Sequence, residues 1–226
     1  MIKRTAAAFV ASALMLSAGS AAASTIQLNY QGNLGSPAGS ISPRSGNIYA
    51  GEFEFSASNN NTGIVEWNDG LSAFCIEIET TLQGSALYEY VGGLDNVAFR
   101  DVNRENDIRA LFNLFYSDNH SAQESRAFQI ALWELIYEGE GNLSVSSGAG
   151  YFYVASGFGS GTVGLANNWL AALGDWDGTD AWSFHVLQNE GSQNLLTVRP
   201  VPTPAALGLL LAGLGGLLVV RRRRHG

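Results

Sequence analysis

The sequence predicts an α+β fold: a mainly antiparallel β-sheet or barrel with a two-helix insertion and a C-terminal β-hairpin. Three observations carry this. The first half of residues 24–200 alternates apolar and polar positions, with Gly, Asn and Asp between the runs. The middle changes to helical spacing. The last part returns to short strands, and the order strands, helices, strands belongs to α+β domains.

In chain order, "STIQLNYQG", "NIYAGEFEFSAS", "TGIVEWNDG", "SAFCIEIETTL" and "SALYEYVGG" read as strands. "RENDIRALFNLFYSD" and "SAQESRAFQIALWELIYEGEG" read as two helices. Ser121 is placed to cap the second, with Glu124 three residues on, and Gly139 and Gly141 end it. A Gly/Ser-rich loop spans 144–150, and a short helix is expected near "GLANNWLAALG". "AWSFHVLQ" and "NLLTVRP", joined by "NEGSQ", form the closing hairpin.

Residues 24–200 have the length of one domain. They carry six arginines, no lysine and twenty acids, a net charge of −14, which the basic termini dilute to −8 over the whole chain. Such a surface repels nucleic acid and anionic membranes. Cys75 is the one cysteine, so no intramolecular disulfide can form even where the compartment permits it.

Both ends carry signals. Met1-Ile2-Lys3-Arg4, an apolar run from Ala6 to Ala18 and the small residues Ala21-Ala22-Ala23 have the order of a secretory signal peptide over 1–23. The apolar run is short for a retained anchor. At the far end, Val201-Pro202-Thr203-Pro204 precede sixteen uncharged residues, Ala205 to Val220, and then Arg221 to Arg224. Snorkelling arginines make up the length of a spanning helix and hold its tip in the cytoplasm, so 24–200 faces outward. The arrangement over 201–226 resembles the PEP-CTERM sorting signal, with Thr203 where that family has Glu. The resemblance implies a Gram-negative, exopolysaccharide-making host and an exosortase-type processing enzyme as partner. It also implies a stay at the inner membrane, facing the periplasm, before passage to the cell surface or extracellular matrix.

In "RAFQIALWELIYE", a turn of about 100° per residue puts Ile136, Trp133 and Leu132 within about 60° of Gln129, and Tyr137 within about 80°. Gln129 is therefore at the centre of the apolar arc, with Glu124, Glu134 and Glu138 on the far side. An unpaired buried amide costs about 1–3 kcal/mol, so this one is either bonded to a strand backbone or chemically used. In "AFCIEIE", Phe74, Ile76 and Ile78 share one strand face; Ala73, Cys75, Glu77 and Glu79 share the other. On that mixed face solvent can reach one end of the strand. A thiol open to chemistry and a half-covered structural cysteine both fit.

A thiol held against a glutamine carbonyl can displace ammonia and leave an internal thioester, an acyl group poised for an outside amine or hydroxyl. Such a bond needs a dry site, which Phe128, Trp133 and Tyr137 are placed to supply. Phe74-Cys75-Ile76-Glu77, followed by Phe128-Gln129-Ile130-Ala131-Leu132-Trp133, resembles the Cys and Gln motifs of bacterial thioester domains, with Phe128 in place of Thr and Leu132 in place of Ile. That resemblance implies a surface adhesin domain in which Cys75 is nucleophile and leaving thiolate and Gln129 supplies the acyl carbon. The outcome is one covalent attachment per molecule, so the protein is not an enzyme. A lysine-free domain suits an amine-reactive group, and Glu77 is a candidate base toward an incoming amine.

Asp175, Asp177 and Asp180 in "GDWDGTD" form a candidate calcium loop or an acidic turn before a strand. His120 and His185 lack metal-motif spacing. A Cys75–His185 hydrolase rests on residue types alone, and the chain has no phosphate loop or cofactor fingerprint. The expected function is covalent attachment to a surface or matrix-polymer nucleophile through Cys75 and Gln129. The alternatives are a non-covalent structural protein of a biofilm matrix, with free Cys75 and a hydrogen-bonded Gln129, and a calcium-dependent binding module.

Overall fold

The computed structural model describes residues 23–33 and 36–201. Among them are strands β1 (Thr25–Asn33), β2 (Gly39–Ser42), β3 (Asn47–Ile48), β4 (Phe53–Ser58), β5 (Leu71–Cys75), β6 (Ser85–Gly92), β7 (Tyr153–Gly157), β8 (Trp182–Gln188) and β9 (Leu195–Pro200). The helices are α1 (Glu105–Phe115), α2 (Ala122–Tyr137) and α3 (Thr162–Ala171). Six strands close into an antiparallel barrel in the order β1-β4-β5-β9-β8-β6, and β3-β2-β7 form a second sheet. The fold is α+β: a barrel, helices α1 and α2 inserted after β6, and the closing β8–β9 hairpin.

Three stretches depart from the expected strands. "SAFCIEIETTL" is strand only as far as Cys75, where β5 ends. "TGIVEWNDG" has no strand; Val65–Asp69 is a 3₁₀ turn that buries Trp67. "NIYAGEFEFSAS" splits into β3 and β4. The break falls at Gly51, whose φ of +142° is a conformation that L side chains avoid. The bend carries the chain from the second sheet into the barrel.

Register assigns the barrel's inner face. Phe53 pairs with Ala73, Cys75 with Leu195, and Leu195 with Leu187, and paired residues share a face. Cys75 therefore points inward. Phe74 points the other way, onto the helices, where its ring lies 6.0 Å from Phe112 and 4.8 Å from Phe128.

The expected one-sided amphipathic helix is wrapped on all sides. Every residue of α2 from Ser125 to Ile136 is buried, because the barrel lies on one side and α1 and α3 lie on others. Glu134, placed above on the far side from the apolar arc, is fully buried. Its Oε1 accepts from the Ser144 amide at 2.7 Å, and burial raises its pKa to about 7. Ser121 and Glu124 close the expected capping box.

Among the described residues no helix is long and apolar enough to cross a membrane. The signal peptide, apart from its final residue Ala23, lies outside the described residues. So do Pro202, Thr203, Pro204, the apolar run 205–220 and the arginine cluster.

Candidate functional site

The site begins with a missing strand partner. Ile76 donates its amide to Asn194 O at 2.9 Å, so even-numbered positions of this segment face β9. The backbone groups of Cys75 point the opposite way, toward β4. Extending the β4–β5 register places Gly51 opposite Cys75, but β4 starts only at Phe53. The bend at Gly51 leaves Cys75 with a free N–H and C=O in the protein interior, where an orphaned pair is costly.

Gln129 fills that gap. Its Oε1 accepts from the Cys75 N–H at 2.9 Å, and its Nε2 donates to the Cys75 carbonyl at 2.8 Å. One side-chain amide thus replaces a strand neighbour. Both residues are wholly buried, at 0% exposure. The central glutamine and the lone cysteine, 54 positions apart in the chain, are brought into direct contact.

The rest of one α2 stripe serves the same edge. At four-residue spacing, side chains of one helix face line up. Ser125 Oγ accepts from the Glu52 amide at 2.7 Å, and Tyr137 Oη accepts from the Ile78 amide at 3.0 Å. Trp133, between Gln129 and Tyr137 on this stripe, is fully buried against Phe152, and its Nε1 has no partner among the described residues. Phe128 lies off the stripe, among Phe74, Phe112 and Tyr116; it covers the neighbour of Cys75 rather than the sulfur's own side.

The sulfur meets a residue the sequence did not single out. Cys75 Sγ donates to Gln193 Oε1 at 2.9 Å, and Gln193 Nε2 donates to the Glu77 carbonyl at 2.7 Å. Gln193 and Ser192 end the "NEGSQ" connection, yet both are buried. Ser192 Oγ lies 2.8 Å from the Tyr88 hydroxyl. A polar turn carries no sign that its last residues enter a barrel; only closure of β9 against β5 reveals it. The expected solvent access to Cys75 is absent, because the barrel wall encloses one side and Gln193 lies over the other. Burial pushes the thiol well above its ordinary range, and the charge of Glu77 adds to this.

Other candidates are dispersed. The Glu77 carboxylate accepts from Thr80 Oγ1 and, at 3.4 Å, from the Asn194 amide. It lines an acidic groove with Glu89 and Glu190. His185 contacts Tyr90, Ser183 and Trp67, and none of these contacts is Cys75. In the acidic turn, Asp180 pairs with Arg109 at 2.8 Å, Asp177 caps the Thr179 amide and Asp175 is exposed. Among the described residues no three His, Cys, Asp or Glu side chains are grouped to hold a metal ion.

Chemically, one carbonyl carries a backbone donor. The Cys75 N–H already bonds Gln129 Oε1, the oxygen that gains charge when a nucleophile adds to Cδ; a preset backbone donor is the usual device for stabilising such an oxyanion. No protein-family model, curated protein or solved structure matches the chain.

Proposed function

We propose that the protein forms an internal thioester between Cys75 and Gln129 and uses it once, to attach covalently to an amine or hydroxyl on a surface, matrix polymer or partner protein. The observation that carries this is the two-point bond between the Gln129 amide and the Cys75 backbone, wholly buried. It keeps the acyl group against the Cys75 backbone, while the sulfur is bonded to Gln193, which must release it before attack. The Cys and Gln motifs, with their resemblance to thioester domains, support the same pair.

The chemistry balances without a co-reactant. Cys75 Sγ adds to Gln129 Cδ while the Cys75 N–H stabilises the oxygen. The Cδ–Nε2 bond then breaks, and the nitrogen leaves as ammonia with the thiol proton. On capture, the acceptor heteroatom takes Cδ, the C–S bond breaks, and the acceptor proton passes to sulfur. A thiol this resistant to ionisation reacts slowly unless its partner is already in place, which suits one templated event rather than turnover. The PEP-CTERM-like tail would deliver the domain outside the inner membrane, where such attachment has targets.

The test is an intact mass on freshly purified protein. The expected value is below the sequence mass by one ammonia, and methylamine converts it to an adduct. Cys75→Ala abolishes both signals. A mass equal to the plain sequence, with one titratable thiol after unfolding, refutes the covalent reading. It would favour the structural alternative, in which Gln129 only completes the strand edge.

A further inference from the structure

Gln193 has a second face, and it lines a cleft of about 310 Å³ at the mouth of the barrel, within the range of small-ligand sites. Tyr30, Asn33, Asn47, Tyr49 and Gln83 surround it. Tyr30 and Tyr49 are 38% and 56% exposed, so their rings are open to a ligand. Asn33 Nδ2 is buried and has no hydrogen-bond partner among the described residues, a donor left for something that enters. The described lining contains no carboxylate, although the domain carries twenty. Its one cation, Arg44, donates to the Ile78 carbonyl. An ammonium group would find no counter-charge here. A polyol would find aromatic faces for its C–H surface and side-chain amides for its hydroxyls. The acidic groove beside Glu77 offers the opposite chemistry, but neither Cys75, Gln129 nor Gln193 lines it.

We propose that this cleft is the acceptor site, that it takes a neutral glycan, and that Gln193 is the movable floor between the glycan and the sulfur. The covalent step rests on the thioester reading. With Gln193 turned aside, a sugar hydroxyl oxygen bonds Gln129 Cδ, the C–S bond breaks, the hydroxyl proton passes to Cys75, and an ester remains. The non-covalent step does not depend on the thioester, and this separates the two.

Cys75→Ala protein, which cannot form the thioester, is titrated with cellohexaose, laminarihexaose and mannohexaose, with cadaverine as the amine comparison, by calorimetry. At least one sugar is expected to bind, and Tyr49→Ala in the same background to weaken it about tenfold. In the wild type that sugar should add its full mass to the thioester form. Absence of binding by all three sugars, or equal binding after Tyr49→Ala, overturns the glycan site. Binding without an adduct, on protein whose mass shows the thioester, overturns the acceptor role. If the mass shows no loss of ammonia but the sugar still binds through Tyr49, the thioester reading fails and the glycan site stands.

Discussion

Gln129 and Gln193 hold the two ends of one cysteine, and their deletion should have different signatures. Gln129→Ala removes the partner of the buried Cys75 N–H, and that of its C=O wherever the amide nitrogen is still in place, and leaves a cavity. The expected loss is about 3 kcal/mol of unfolding free energy, read from denaturant midpoints. Gln193→Ala opens the route from the barrel mouth to the sulfur. Its main effect should be kinetic: methylamine uptake at the acyl group, followed by mass, should speed by about tenfold, with fold stability less affected than in Gln129→Ala. An unchanged uptake rate would show that Gln193 does not gate the site. These residues also mark where sequence reasoning reaches. Gln129 was legible because a polar side chain at the centre of an apolar arc violates a local rule. Gln193 violated none; it ends a polar turn, and its burial depends on a strand pairing 118 residues away in sequence from Cys75.

At the level of the element, α2 was legible in its limits and in the face that meets β5, because capping chemistry and the Gln129, Trp133, Tyr137 spacing are local. Its far side was not legible. Periodicity sets Glu134 opposite the apolar arc, yet it is fully buried, with the Ser144 amide on its carboxylate. That burial has a pH consequence. Glu134 and Glu52 both have pKa values raised from 4.5 to about 7, chiefly by burial; at Glu134 the Ser144 amide and Arg104 oppose the rise and Glu138 adds to it. Between about pH 4.5 and 7 the folded state therefore holds protons that the unfolded state has released, so stability falls as pH rises through this window and levels off above it. A rise of this size corresponds to about 3 kcal/mol per group. Thermal melts between pH 5 and 8 should show Tm decreasing, and Glu134→Gln should flatten the slope by about half. A slope unchanged by the substitution would mean that Glu134 does not titrate in this range.

Across the whole molecule, the barrel, the inserted helices and the closing hairpin follow from alternation and a change of period. The second sheet does not, since β2 and β7 are short segments rich in Gly and Ser with little hydrophobic pattern. The mouth of the barrel was equally hidden, because Tyr30, Tyr49 and Gln83 come from separate segments. One global feature was plain from composition and gains a location from the fold: residues 24–200 contain no lysine. If an acyl thioester lies beneath the cleft, an ammonium on its rim is a competing nucleophile held at high effective concentration. Gln83 is exposed on that rim. Gln83→Lys should let the introduced amine take Gln129 Cδ and release Cys75. The product keeps the mass deficit of one ammonia, since amine replaces thiol at the same carbon, but no longer takes up methylamine and shows a free thiol on unfolding. Gln83→Arg adds the same charge without a comparable nucleophile and should retain uptake. Full methylamine uptake by Gln83→Lys would mean that the cleft does not lead to the acyl carbon, and the missing lysines would then reflect composition alone.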